Sequence, residues 1–381
     1  MFIYLATYLS SLFFIMIAEK YRVLLVNNQS SQRFLTNLPY LLLILIALLI
    51  PAILAGVRDY SVGTDVLVYG NAWFNRAFTV DYKTYVEWAT SSSIGSGYAF
   101  LNYVVSRFSD NPHVFYFIYN LLENILIFLG IKHFRGNINV TLGMATYYFL
   151  FFNVLLNILR QGMALALIVW GLKYVVDKKF VKYILVVAIA TLFHSTAILA
   201  VVIYLVYWVF NDVKDMSILK DLVSLSIIML ILLLFTQLTT ILNSHWLLSD
   251  RYQAFVSSSN VRGGFLVHLL LCIPILALYV LNLIYNKKLS GMDKSFSYLV
   301  LVTTLMSIFN IYSSNLSRIT LYFDFLFIIM IPYIVKNGLP RIKWKNVDVE
   351  LVLVTIYLFI YWWLIFVIMQ SGETVPFIFM S

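Results

Sequence analysis

The sequence predicts an all-α, polytopic integral-membrane helical bundle of about twelve transmembrane helices, within a range of roughly ten to thirteen. Three observations predict it. Hydrophobic residues make up 62% of the 381 positions and charged residues only 11%, where a soluble domain carries about 25% charged residues. Apolar runs of about twenty residues recur, the length that crosses roughly 30 Å of hydrocarbon. Stretches such as 40–50 and 184–190 are continuously apolar, whereas the strands of an outer-membrane barrel alternate apolar and polar residues. Helices follow, because lipid cannot satisfy exposed backbone groups.

The predicted spans lie near 1–18, 38–55, 112–131, 139–156, 158–176, 181–193, 194–210, 218–239, 264–285, 295–310, 317–335 and 349–370, in a single transmembrane domain covering 1–381. No basic segment precedes the first apolar run, so it reads as a spanning helix rather than a cleaved signal. Lys20, Arg22 and Arg33 follow it and hold that loop in the cytoplasm, which puts the N-terminus outside. Lys132 and Arg135, Lys178–Lys182, Lys214 and Lys220, Lys287–Lys294 and Lys336–Lys345 then fall on the same side. The net charge of +9 therefore reads as topological retention and not as nucleic-acid binding. The outward loops are expected to hold Arg58, Arg76, Lys83, Arg107, Arg160, Arg251, Arg262 and Arg318, nearly all arginine. Retention is indifferent to Lys or Arg, but bidentate phosphate recognition is not, so the bias points to an anionic ligand on the outer face.

Two segments fix the topology. As one helix, 181–210 would reach about 45 Å and would invert everything after it. Two short helices meeting at His194–Ser195 avoid this, with the junction below the outer surface, where irregular backbone needs protein or a wet cavity around it. The segment 139–176 likewise bends once. Two outer loops are large. The first, 56–97, ends in a Ser/Gly-rich run and contains Val66, Tyr69, Trp73 and Ala77 at helical spacing, which predicts a short amphipathic helix in the interface. The second, 240–263, is polar and contains Asp250-Arg251 and Arg262-Gly263-Gly264.

Several polar groups lie where chemistry is expected. Arg58-Asp59-Tyr60-Ser61-Val62-Gly63-Thr64-Asp65 offers a guanidinium and two carboxylates where the second span leaves the membrane. It reads as an anion site with a general base, or more plainly as a helix start capped by Thr64 or Asp65. Asn153, Asn157, Arg160 and Gln161 share one face if the segment is helical. Arg160 is then a functional arginine or a structural hydrogen-bond hub. His194, at the helix break, is a base, a hydroxyl-binding group or a satisfied structural histidine. Arg318, Tyr322 and Asp324 open the eleventh span; Arg318 suits a lipid phosphate, and Asp324 suits a neighbouring helix. Glu123 in the third span reads as hydrogen-bonded to a neighbouring helix. The 17% aromatic content reads mostly as interfacial belts, and Tyr361-Trp362-Trp363 as anchoring or packing. No nucleotide-binding loop appears and no metal-ligand spacing; the lone Cys272 makes neither a disulfide nor a metal cluster. An outward-facing enzyme without nucleotides needs a substrate that arrives activated, such as a sugar on a lipid diphosphate.

Gly56-Val57-Arg58-Asp59, Val62-Gly63-Thr64-Asp65 with Tyr69, Gly97-Tyr98 with Leu101-Asn102, Asn157 with Arg160-Gln161, Phe193-His194-Ser195-Thr196-Ala197 and Ser317-Arg318 occur in that order over roughly 40–335. The ordered set resembles the EpsG-type family of polysaccharide polymerases, which are similar to the Wzy-type O-antigen polymerases. The resemblance implies a GT-C-like membrane glycosyltransferase, needing no cofactor, metal or nucleotide, in the bacterial inner membrane with its active face periplasmic or extracellular. It implies undecaprenyl-diphosphate-linked glycan as donor and acceptor, membrane lipid around it and a chain-length regulator as a further partner. It implies functional positions at Arg58, Asp65, Tyr69, Arg160, Gln161, His194 and Arg318 and leaves the base open. With the chemistry of the residues, Asp65, His194 and Arg160 are expected to be catalytic, and Arg58, Tyr69, Asn157, Gln161, Arg318 and Tyr322 to bind substrate or diphosphate. Two rivals stand beside it: a ligase that moves finished polymer to a lipid acceptor, and a flippase or other transporter coupled through Glu123 and Asp324. The absence of an inverted repeat and the gathering of arginines at one face weigh against transport.

Overall fold

The computed structural model describes residues 1–27, 33–92, 94–211, 218–245, 261–285, 290–308, 314–338, 343–344 and 347–380. Among these the chain is helical, apart from the two-residue strands β1 (Lys343–Trp344) and β2 (Val347–Asp348), which pair antiparallel. Among the described residues eight segments are long and apolar enough to cross a membrane: Phe2–Leu24, Asn37–Gly56, Pro112–His133, Val140–Asn157, Leu159–Val176, Gly264–Tyr285, Arg318–Asn337 and Val349–Ile368. Two apolar helices are shorter, Phe180–Phe193 and Ser195–Phe210. The protein is a polytopic helical membrane protein.

The helices are numbered in chain order. α1 (Phe2–Asn27) lies along α2 (Arg33–Gly56). A π-turn at Val66–Gly70 leads into α3 (Asn71–Thr79), followed by α4 (Tyr82–Ser91) and α5 (Ser96–Ser106). α6 (Pro112–His133) packs between α2 and α8 (Leu159–Val176), and α7 (Val140–Asn157) precedes α8. α9 (Phe180–Phe193) and α10 (Ser195–Phe210) meet at His194, whose backbone is extended. They fold back on each other: the Tyr183 hydroxyl donates to the Ala200 carbonyl at 2.8 Å, and Tyr183 stacks on Tyr204. Then come α11 (Ile218–His245), α12 (Val261–Tyr285), α13 (Gly291–Leu305), α14 (Ser314–Asp324), α15 (Phe327–Asn337) and α16 (Val349–Ile368). The expected outer loop 240–263 lies largely outside the described residues, with Asp250 and Arg251 in that part.

The interior is held by neutral hydrogen bonds as well as apolar packing. Asn153 on α7 accepts from the Tyr8 hydroxyl at 2.7 Å and the Trp362 indole at 2.9 Å, and its amide donates to Thr374 Oγ1 at 3.0 Å. One side chain thus joins α1, α7, α16 and the C-terminal segment, the kind of interhelical glue that apolar lipid leaves worthwhile. Tyr4, Tyr8, Tyr147, Tyr148 and Trp362 are all fully buried. Much of the aromatic content is therefore interior packing, not the interfacial belts the composition suggests, and Trp362 is a core residue.

The two ends of the bundle differ in charge. At one end Arg135 pairs with Glu19 at 2.7 Å, Lys336 donates to Gly136 O at 2.8 Å, and Asn337 donates to Asn137 O at 2.6 Å. The opposite end carries the loop that follows α2. Part of its apolar surface turns onto the protein: Val66, Phe74 and Ala77 are fully buried, with Phe74 against Phe115, while Leu67, Val68 and Phe78 are exposed. The chain's last described residues close this loop. Asp59 N donates to Ile378 O at 2.8 Å and Met380 N to Val57 O at 2.9 Å.

Gly63 marks the tightest approach. Its φ is +94°, and a Cβ there would lie 2.6 Å from the Leu156 carbonyl oxygen. Gly63→Ala should cost about 1–3 kcal/mol through strained backbone and displaced α7. The measurement is the thermal unfolding midpoint in detergent, with Gly136→Ala, an open position, as the control that leaves it unchanged. Equal midpoints for both variants would refute this packing.

Candidate functional site

The site begins where α7 stops. Ile158, at φ −102° and ψ 72°, leaves the helical conformation, and α8 restarts at Leu159. Asn153 and Asn157 therefore belong to one helix and Arg160 and Gln161 to the next, instead of sharing a continuous face. A new helix start exposes backbone N–H groups that need acceptors. Asp65 supplies one, accepting from Leu159 N at 3.2 Å. Asp65 makes no side-chain cap to its own helical turn; it caps a helix that lies far along the chain. The loop is fixed at three further points. Asn157 Oδ1 accepts from Thr64 N at 2.8 Å, Arg58 donates to Leu156 O at 2.6 Å, and Gly63 abuts the same carbonyl.

The π-turn then sets Tyr69 beneath Asp65, and the Tyr69 hydroxyl donates to the carboxylate in a short hydrogen bond. Trp73 lies on Tyr69 with ring centroids 4.2 Å apart, and Tyr98 meets both rings edge-on. Arg160, in the first turn of α8, spreads over this shelf with its guanidinium carbon 5.1 Å from each of the Tyr69 and Trp73 centroids. Gln161, the next residue, is buried and donates to the Arg318 carbonyl at 2.6 Å, which docks α14 on the start of α8. Tyr322 on α14 bonds to Thr196 Oγ1 at 3.1 Å, and Thr196 in turn meets His194 Nδ1 at 2.7 Å. Asp65 and His194 both lie in the field of Arg160 and Arg318.

The structure thus brings together Asp65, Tyr69, Arg160, Gln161, His194, Arg318 and Tyr322 from the outer loop, the α8 start, the α9–α10 break and α14. It sets two expected residues apart. Arg58 is 1% exposed, sealed between the Leu156 carbonyl and the Tyr116 ring, with Tyr116, Tyr4 and Glu123 as its electrostatic neighbours. Asn157 spends its side-chain oxygen on the loop backbone. Trp73 and Tyr98 are the residues whose part in the site the sequence did not disclose; their signals were the spacing of Trp73 from Tyr69 and the place of Tyr98 in the Gly97-Tyr98 motif. Glu123 meets Asn120 of its own helix at 3.2 Å, not a neighbouring helix.

A family model described as the EpsG family matches residues 41–379, most of the chain. The chain belongs to the EpsG family. This is a family of polysaccharide polymerase-like membrane proteins, which associates the chain with membrane polysaccharide biosynthesis. No curated protein and no solved structure matches the chain.

In this EpsG-family protein the site suits an anion next to a sugar. The start of an 18-residue helix carries partial positive charge, and two guanidinium groups stand beside it. Aromatic faces line one side, and a carboxylate and an imidazole face the same charges. Burial raises Asp65 above the ordinary carboxylate value, and the Tyr69 hydroxyl, Arg318 and Arg160 pull it partly back. A carboxyl whose pKa rises on folding stabilises the fold below its unfolded value, near 3.8. That contribution is lost as pH rises through the folded value. Relative to Asp65→Asn, the parent should therefore lose thermal stability as pH climbs above 3.8 and through the raised folded value. Unfolding midpoints measured against pH check this; parallel profiles would mean that Asp65 titrates alike in both states.

Proposed function

We propose that this EpsG-family protein is a membrane glycosyltransferase that polymerises oligosaccharide repeat units carried on undecaprenyl diphosphate. It works at the periplasmic or extracellular face of the bacterial inner membrane, in a GT-C-like bundle of about twelve spans once the two shorter apolar helices and also α11 and α13 are counted with the eight longer ones. The observation that carries the reading is Arg160, held on the Tyr69–Trp73 shelf at the open start of α8 with Asp65 and Arg318 around it.

In the reaction, the bond between the donor sugar's anomeric carbon and the lipid diphosphate breaks. A hydroxyl of the acceptor repeat unit forms the new glycosidic bond and gives up its proton. Arg160 and Arg318, with the α8 N-terminus, stabilise the charge that builds on the leaving diphosphate; Arg160 is already held on the aromatic shelf, and the backbone of Arg318 is docked by Gln161. Asp65 takes the acceptor proton, with His194 as the alternative base. The transition state has oxocarbenium character, as in glycoside hydrolysis. The rings of Tyr69, Trp73 and Tyr98 offer faces for a sugar. Gln161 and Tyr322 position Arg318 and the His194 turn. Arg58 and Asn157 hold the loop to α7 rather than meeting a diphosphate. The energy comes from the glycosyl–diphosphate bond, so neither nucleotide nor metal enters the chemistry. A chain-length regulator is the expected protein partner.

The test is a gel of surface glycans from a deletion strain complemented with variants. Deletion should collapse the ladder to single lipid-linked repeats. Arg160→Ala should fail to restore it while reaching the membrane in normal amount, and Asp65→Asn should slow polymerisation by roughly 10²–10⁴-fold. Full-length but unattached polymer in the deletion strain would make the protein a ligase. A normal ladder from Arg160→Ala would remove the central residue of the mechanism.

A further inference from the structure

We propose that His268, Cys272 and Asp324 form a binding site for one divalent transition-metal ion, zinc by preference, that fastens α12 to α14 beneath the glycan site. The spacing of these residues in the sequence gives no metal motif; the fold makes one. His268 and Cys272 lie one turn apart on α12, and Asp324 ends α14. His268 Nε2 and Asp324 Oδ1 are 2.8 Å apart, and Cys272 Sγ is 3.8 Å from the imidazole nitrogens. One ligand atom from each residue lies within 4.8 Å of the others, and all three residues are buried.

Three physical arguments favour a metal over a bare hydrogen-bonded pair. The first is charge. A divalent ion with one thiolate, one carboxylate and one neutral imidazole is net neutral, which removes most of the cost of holding charge inside a membrane protein. The second is ligand chemistry. One nitrogen, one sulfur and one oxygen suit zinc, with bonds of about 2.0–2.3 Å and tetrahedral ligand separations of about 3.3–3.7 Å. The imidazole–carboxylate contact, 2.8 Å here, opens by about 0.5 Å to reach them, and the sulfur already stands 3.8 Å from the imidazole nitrogens. Without the ion, the sulfur stands 3.8 Å from both ring nitrogens and also meets the Thr304 hydroxyl. The third is the surrounding shell. Ser307 Oγ lies 2.6 Å from His268 Nδ1, the ring nitrogen left over when Nε2 binds metal, and Thr320 Oγ1 donates to the other Asp324 oxygen at 3.4 Å. Such outer partners fix the tautomer and aim the ligands. The consequence for the glycan site is mechanical, because Asp324 shares α14 with Arg318 and Tyr322.

The experiment uses the full chain in lipid nanodiscs, stripped by chelator and equilibrated with Zn²⁺ or Co²⁺ alone. Elemental analysis should return about one zinc per chain. Cobalt should give a thiolate charge-transfer band and the intense visible bands of a tetrahedral site. Cys272→Ser should lose the charge-transfer band, and Cys272→Ser and Asp324→Asn should each weaken zinc by at least the roughly 10–100-fold that removing an outer-shell partner costs. Circular dichroism of both variants, matching the parent, shows that the fold survives. Far less than one zinc per parent chain overturns the proposal. So does a Cys272→Ser variant that holds zinc as tightly as the parent, which would place the ion at exposed groups such as His133 and Asp177.

Discussion

The fold around the site depends on one interrupted helix. Residues 140–176 could have run as a single apolar rod, but Ile158 breaks it inside the protein. A backbone N–H left bare in an apolar interior costs several kcal/mol. The carboxylate of Asp65 meets that demand at Leu159, and doing so commits the whole outer loop to a place. Arg58, Gly63 and Thr64 then fasten to the last turn of α7, and Tyr69 and Trp73 come to rest under Arg160. The site is what forms when a membrane helix is broken and its orphaned groups are answered by a loop.

The architecture was legible because length and apolarity are dictated by the bilayer. The break at His194 was legible for the same reason: the apolar stretch around it is too long for one crossing and too short for two ordinary ones. α5 was not legible, since Ser96–Ser106 mixes Ser, Gly and Asn with aromatics and falls mostly between the loop 56–97 and the span expected from 112. Nor could sequence distinguish Arg58 from Arg160. Both stand where an apolar run meets a loop, yet one guanidinium is sealed against a carbonyl and a ring while the other lies across an aromatic shelf. The role of Asp65 was half visible. Capping was foreseen, but the capped helix lies 94 residues away, and no local pattern records so distant a partner. The His268–Cys272–Asp324 cluster was hidden likewise, because Asp324 comes from a helix 56 residues beyond His268.

Polarity is rationed by depth. At the two ends, ion pairs and arginines are common: Arg135 with Glu19, Lys294 with Asp221, and the guanidinium groups around Asp65. Between them the polar contacts are mostly neutral, from tyrosine, asparagine and tryptophan to one another or to backbone carbonyls, as at Tyr8–Asn153–Trp362, Tyr147–Asn124 and Tyr279–Met330. Neutral donors secure helix against helix without the desolvation cost of a buried ion.

The segment that closes the loop has a consequence for how the molecule is made. Tyr4 on α1 donates to the Thr374 carbonyl at 2.5 Å, Thr374 also receives Asn153, and Met380 bonds back to Val57. α1 therefore completes its contacts only with a segment that lies 370 residues further along the chain. While residues 374–380 are still unmade, Tyr4 and Asn153 lack these partners and the loop after α2 lacks the segment that closes it. Domains generally fold as units as they emerge, but here α1 and that loop reach their final contacts only once this distant segment has been made.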